Sequence, residues 1–410
     1  MIEGVCKPGF ERVAEQFEKN FAERGEVGAS VCVTSAGATV VDLWGGVANP
    51  ATGAAWMRDT VSLVHSCTKG ATALCAHILA SRGQLDLDAP VMELWRELFD
   101  HGKRDVTTRM MLDHSAGVPA LREKVKDDGP YDWAYMTDRI AREEPFWEPG
   151  TRSGYHGLTF GWLVGEVVRR VSGTSLGSFF RDEIAKPLGI DFWIGLPEEI
   201  EPRVAPVRPF VYPARGGRTT FVADLMNHAQ SIPALFVFNS GAWRGSNVNS
   251  RAAHAAEIPA ANGITNARGL AGMYAPLANG GRMGVGGPLV DARTLTRMAE
   301  VSMATHDDAT LRIATRFSPG FMKSMDNRRG RGAELFGEDA DSLIMGSAAF
   351  GHAGAGGSLG FADPIAGLSF GYTMNKLGPG LLMNGRGQAL VDAAYRSLGY
   401  RNKDGGVWVK

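Results

Sequence analysis

The spacing of hydrophobic positions changes several times along the chain. Residues 9–24 repeat apolar positions every three to four residues, which predicts an amphipathic helix. GASVCVTSAGATVVDLWGG, from Gly28 to Gly46, instead alternates apolar and polar residues, is rich in β-branched side chains and breaks at Ser35–Gly37. That pattern predicts a β-hairpin. From Ser66 onward Cys67, Ala71, Leu74, Cys75, Ile78 and Leu79 return to helical spacing, and Gly83 ends the run. Between about 86 and 335 the chain reads as helical segments joined by long loops, with the clearest helix at Leu158–Val171. Within that region, 195–265 is rich in Pro, Gly and Asn and has little period, which suits a functional loop or lid. Ser347–Gly378 predicts two or three strands between Gly-rich turns, and Gly387–Gly399 a closing helix. With strands at both ends and helices between, the expected fold is α/β. One antiparallel sheet flanked by helices is built from 1–85 and 336–410, with a mostly helical region inserted at 86–335.

Composition narrows the function classes. The 410 residues carry 43 Lys and Arg against 44 Asp and Glu, a net charge of −1. Nothing in that balance points to nucleic acid or an acidic membrane surface. No stretch reaches about 18 uninterrupted apolar residues, so no transmembrane helix is expected. The amino terminus lacks the apolar segment of a signal peptide. The four cysteines, Cys6, Cys32, Cys67 and Cys75, form no CxxC pair. A reducing cytoplasm is the expected compartment. No metal-binding cluster, phosphate loop or dinucleotide fingerprint occurs in a supporting context, so neither metal nor cofactor is expected. The oligomeric state is not set by anything in the sequence.

SLVHSCTKGATALCAHILASRG (Ser62–Gly83) contains the single SxxK of the chain, Ser66 with Lys69. Three residues apart at a helix start, the two side chains share a face. The free N–H groups of a helix N-terminus sit beside them. A desolvated lysine there has a lowered pKa and can take the serine proton. The competing reading is a helix cap with a surface lysine.

Two further stretches weigh against that competing reading: FWEPGTRSGYHGLTFGWLVGEVVRRVSG from Phe146, and FGHAGAGGSLGFADP from Phe350. With these, and with TTRMMLDHSAGVPAL (Thr107–Leu121) and FFRDEIAKPLGI (Phe179–Ile190), the chain resembles the serine β-lactamase and penicillin-binding superfamily from about residue 28 to 398. Within it the chain looks most like the class C β-lactamase branch and the related family VIII carboxylesterases. The resemblance implies Ser66 as nucleophile, Lys69 as its base and Tyr155 as the proton relay to the leaving group. It places His352-Ala353-Gly354 where the lactamases carry Lys-Thr-Gly, with His352 and Gly354 toward the substrate. The backbone N–H of Ala355 would join that of Ser66 as the oxyanion hole.

Two departures from the lactamase pattern matter. Tyr155-His156-Gly157 replaces Tyr-x-Asn, removing the amide that would hold a β-lactam, and a histidine replaces the lysine of the third motif. An imidazole of ordinary pKa, about 6.5, is mostly neutral at pH 7 and anchors a carboxylate poorly. The expected activity is therefore a carboxylesterase acting on a small-molecule ester through an acyl-enzyme on Ser66. The rivals are an amidase or β-lactamase, an acyltransferase, and a penicillin-binding protein that acylates without turnover. His156 either lines the site or caps the helix that follows. His114-Ser115 reads as structural and Cys67 as core. The GxSxG matches at Ser175 and Ser358 lack the strand–elbow–helix context that would make either a nucleophile.

Overall fold

The computed structural model describes residues 1–410 except 212–218, 244, 284–286, 331–333, 336–339 and 404–405, and the side chains of 99, 100 and 403. Among the described residues the frame is a ten-stranded antiparallel sheet. Its main strands are β1 (Ile2–Cys6), β2 (Gly28–Ser35), β3 (Ala38–Asn49), β4 (Met303–Thr305), β5 (Thr315–Ser318), β6 (Phe321–Met322), β7 (Phe350–Ala353), β8 (Leu359–Asp363) and β9 (Leu368–Met374). They lie in the order β1-β3-β2-β9-β8-β7-β6-β5-β4. The β2–β3 hairpin turns through Ala36 and Gly37, both with positive φ. Two such residues make the tight turn that matches strand twist. Register along β2–β9, with Val31 opposite Tyr372 and Val33 opposite Phe370, ties the two ends of the chain into one sheet.

The period of two in β9 decides what covers each face. Leu368, Phe370, Tyr372 and Met374 pack into a core with Val13 and Phe17 of α1 (Glu11–Ala22) and Leu390 and Val391 of the C-terminal helix Gly385–Ser397. The alternate positions are small. A Cβ on Gly371 would stand 2.1 Å from the Ala267 carbonyl, and the Ser369 hydroxyl donates to the Ala271 carbonyl at 2.9 Å. These positions let the helix Ala267–Ala278 lie close against the sheet.

Helix α2 (Thr68–Ser81) packs against β6 and β7 on one side and against α3 (Thr159–Ser172) on the other. Every residue from Thr68 to Leu79 is buried, so it is a central helix and not one with a single apolar stripe. Two features lie outside the sequence-based reading. One is the edge strand β1. The other is a small second sheet in which Val61–Leu63 pairs with Val204–Ala205 and Ile264–Thr265, and the latter with Phe192–Trp193. The main sheet also takes β4, β5 and β6 from 303–322, which the sequence reading assigns to the inserted helical region.

Candidate active site

The small sheet aims the chain at α2. After Val61–Leu63 the backbone reverses at His65, whose φ of +44° is in a region costly for a side chain with a Cβ. Thr68 holds the reversal: its hydroxyl donates to the His65 carbonyl at 2.5 Å and accepts the Gly263 N–H at 2.8 Å. Ser66 follows at the mouth of α2 and is partly exposed, while residues 67 to 79 behind it are buried.

Lys69 is fully buried. Its Nζ donates to the carbonyls of Gly157 at 2.7 Å and Ala260 at 2.9 Å, and stands 3.2 Å from Ser66 Oγ. No carboxylate among the described residues pairs with it, and burial holds its pKa well below 10.5. A neutral amine has two N–H groups and one lone pair. The two carbonyls take the N–H groups, and the third direction faces Ser66.

Tyr155 sits in the loop before α3. The buried Asp308 carboxylate pins its backbone N–H at 2.9 and 3.1 Å. The ring centroid is 4.6 Å from Lys69 Nζ, and His114 and Phe317 pack around it. Its hydroxyl is buried without a hydrogen-bond partner among the described residues. Burial pushes the phenol pKa up, and the nearby Ser66 hydroxyl partly opposes that rise. Tyr155 therefore carries its proton at neutral pH.

The Gly-rich strand end approaches from the other side. A Cβ on Gly354 would stand 2.2 Å from the Val64 carbonyl, so only glycine lets β7 meet the turn that carries Ser66 this closely. The backbone N–H groups of Ser66 and Ala355 donate to no other group among the described residues. Both residues border the cavities described below.

Three residues expected at the substrate lie one layer behind it. His156 is fully buried. Its Nδ1–H donates to the Gly154 carbonyl at 2.7 Å and its Nε2 accepts the Val118 N–H at 3.0 Å, so it braces the Tyr155 loop. His352 is buried behind Tyr155, with ring centroids 6.1 Å apart and Nδ1 2.7 Å from the Ala353 carbonyl. Burial first, and Lys69 second, push its pKa down to about 3, so it is neutral. Neither His352 nor Gly354 lines the cavities; that strand end presents Ala353, Ala355 and Gly356 instead.

The other motif residues have structural partners. The Ser175 side chain caps the helix Leu176–Phe180 and donates to Glu257 at 2.6 Å. Ser358 is buried between β7 and β8. Ser115 donates to Asp113, His114 Nδ1 accepts the His156 N–H, and the Cys67 thiol donates to the His352 carbonyl. The sequence reading did not single out Asp308, the Gly157 and Ala260 carbonyls, or Phe236, which enters below. The two carbonyls carry no sequence signal because any residue supplies a carbonyl.

Two cavities, about 320 Å³ and about 270 Å³, meet at Ser66, Phe236, Ala355 and Leu377. Their walls are mostly apolar, and much of them comes from the 195–265 segment, including Val207, Phe210, Phe236, Trp243 and Val248. Among the described lining residues none is Lys, Arg, Asp or Glu. Phe236 stands where a side chain at position 157 would go: a Cβ on Gly157 would be 2.1 Å from its ring.

Comparison with known proteins fits this geometry. The family model described as Beta-lactamase matches residues 12–395. The esterase/beta-lactamase LipL of Mycobacterium tuberculosis is 33% identical over 382 residues, covering 93% of this chain and 84% of that protein. The crystal structure of a family VIII carboxylesterase superposes with a TM-score of 0.84 at 36% identity, over 97% of this chain and all (100%) of the other. A penicillin-binding protein homologue from Caulobacter crescentus superposes with a TM-score of 0.83 at 33% identity, over 97% of this chain and 100% of the other. A Ser-x-x-Lys turn on a central helix, a tyrosine over the lysine and a Gly-rich strand end closing the site, with a match across nearly the whole length, lead to one assignment: the chain belongs to the β-lactamase family.

Proposed function

We propose that the protein is a serine carboxylesterase, with Ser66, Lys69 and Tyr155 as its catalytic residues. The observation that carries this reading is the Ser66–Lys69 contact, held by two backbone carbonyls and opening onto two cavities with no Lys, Arg, Asp or Glu among their described lining residues. Lys69 takes the Ser66 proton, and Oγ attacks the ester carbonyl. The oxyanion faces the N–H groups of Ser66 and Ala355. Collapse expels the alcohol, which receives a proton from the Tyr155 hydroxyl, and the Lys69 ammonium restores that proton. Water then repeats the sequence on the acyl-enzyme. A β-lactam finds little here, because His352 is neutral and buried and Phe236 fills the space beside Gly157.

The proposed partner is a small neutral ester, with neither nucleic acid nor membrane. No helix among the described residues is long and apolar enough to cross a membrane. The four cysteines are free, and we place the reaction in the cytoplasm. The likeness to a penicillin-binding homologue supports a second reading, acylation without turnover. The test is hydrolysis of p-nitrophenyl butyrate and a chromogenic cephalosporin by the wild type and Ser66→Ala. Steady ester turnover lost in the variant, with slow cephalosporin cleavage, is the expected result. A single-equivalent burst supports the second reading, and ester turnover that survives Ser66→Ala overturns both.

A further inference from the structure

We infer that the site sorts its substrate into two lobes divided by Phe236, with the acyl group of a neutral ester in one and its alcohol in the other. This rests on the reading of Ser66 as the nucleophile of an esterase. Phe236 borders both cavities, and among the described residues they share only Ser66, Ala355 and Leu377 besides. Ser66 and Ala355 are the residues that must surround the reacting carbonyl, so the division falls at the scissile bond. The direction follows from proton transfer. The leaving oxygen takes its proton from Tyr155, and Tyr155 lines only the smaller lobe, together with Leu381. The alcohol therefore occupies that lobe. The acyl chain runs into the larger one, past Gly157 toward Val248.

Each lobe has the volume of on the order of ten waters, enough for a group of several carbons. With no charged side chain among the described lining residues, the favoured substrate carries apolar substituents on both sides of the ester. The wall itself depends on a steric pair. Gly157 has no positive φ, so its backbone accepts a side chain, and the three atoms nearest an added Cβ all belong to the Phe236 ring, at 2.1 to 2.7 Å. Phe236 is thus a specificity-determining residue, and Gly157 is the space it needs.

The test separates the two halves of the ester. One series varies the acyl group, as p-nitrophenyl acetate, butyrate and octanoate. The other varies the alcohol, as ethyl, butyl and benzyl acetates followed by acid release. Val248→Trp should lower kcat/KM for octanoate relative to acetate by roughly tenfold or more, the scale on which an apolar pocket discriminates methylenes. It should leave the order among the acetates unchanged. Leu381→Trp should do the reverse. Phe236→Ala should raise kcat/KM for a branched acyl ester relative to acetate by about the same factor, with Phe236→Leu intermediate as the check on folding. Gly157→Ala should weaken both series, and recover when Phe236→Ala is added.

The inference is overturned if Val248→Trp and Leu381→Trp change the same series, or if Gly157→Ala is indifferent to Phe236. Failure of the underlying reading looks different: the wild type would hydrolyse neither series, or Ser66→Ala would hydrolyse both.

Discussion

In the proposed mechanism Lys69 acts as a base while surrounded by protein, and the same burial that makes a charged ammonium costly makes a neutral amine accessible. The sign of the pH dependence follows. The active form is unprotonated, so kcat/KM for a neutral ester should be present above the depressed pKa of Lys69 and fall as pH drops through it. A pH–rate profile should show one rising limb with its midpoint well below 10.5. Lys69→Ala should lose about 10²–10⁴ in kcat/KM, the usual worth of a positioned base, and lose that limb as well. Tyr155 is held protonated by burial, and the proposed mechanism uses it in the opposite direction, as the acid for the leaving group. Tyr155→Phe should therefore harm an ethyl ester far more than a p-nitrophenyl ester, whose leaving group departs without a proton. An equal loss on both, measured as kcat/KM, would assign Tyr155 to positioning alone.

At the scale of elements, the site is the meeting of a turn, a helix and a strand end, and its weakest tolerance is at Gly354. A methyl there would have to push β7 away from the turn that carries Ser66. That would separate the Ala355 N–H from the Ser66 N–H. Gly354→Ala should lower kcat by about 10²–10³, the effect of losing one oxyanion donor, with circular dichroism unchanged; activity within twofold of wild type would remove Ala355 from the oxyanion hole. The sequence showed the elements that carry strong periods: the β2–β3 hairpin, α2, α3, the last helix and, as two or three strands, the C-terminal part of the sheet. It did not show β1, five residues with a glycine at φ +122° that pair only at the sheet edge. Nor did it show the small sheet, whose strands of two or three residues are too short for any period. SxxK was legible because side-chain chemistry has a spacing on a helix. His352 and His156 were legible as motif positions but not as buried, neutral groups, because burial belongs to the assembled molecule.

That burial has a consequence for the molecule as a whole. His65, His77, His114, His156 and His352 all have pKa values pushed down, chiefly by desolvation. Unfolding frees each ring to bind a proton near pH 6.5 that the fold refuses. Stability from these residues is complete above pH 6.5 and drains away as pH falls below it, toward 3 or 4 for His65, His77, His156 and His352. Glu26, Asp113, Asp308 and Asp341 are buried and pushed up, so they act in the opposite sense and reduce the net slope. A single histidine away from the chemistry isolates the effect. His77 is fully buried on α2, stacks on Phe321 at 5.9 Å and donates from Nε2 to the Pro319 carbonyl at 2.8 Å. Its pKa is pushed down to about 4. A depression of that size is worth about 3 kcal/mol once the pH has fallen past it, about 2 of which is lost between pH 6.5 and 5. His77→Gln keeps a donor for Pro319 and cannot titrate. The variant should start less stable at pH 7.5 and gain on the wild type by about 2 kcal/mol at pH 5, read from denaturant unfolding at both values. A stability difference that stays constant with pH would mean that His77 takes up its proton in the fold as readily as in the unfolded chain, and that α2 is more open to water than its packing shows.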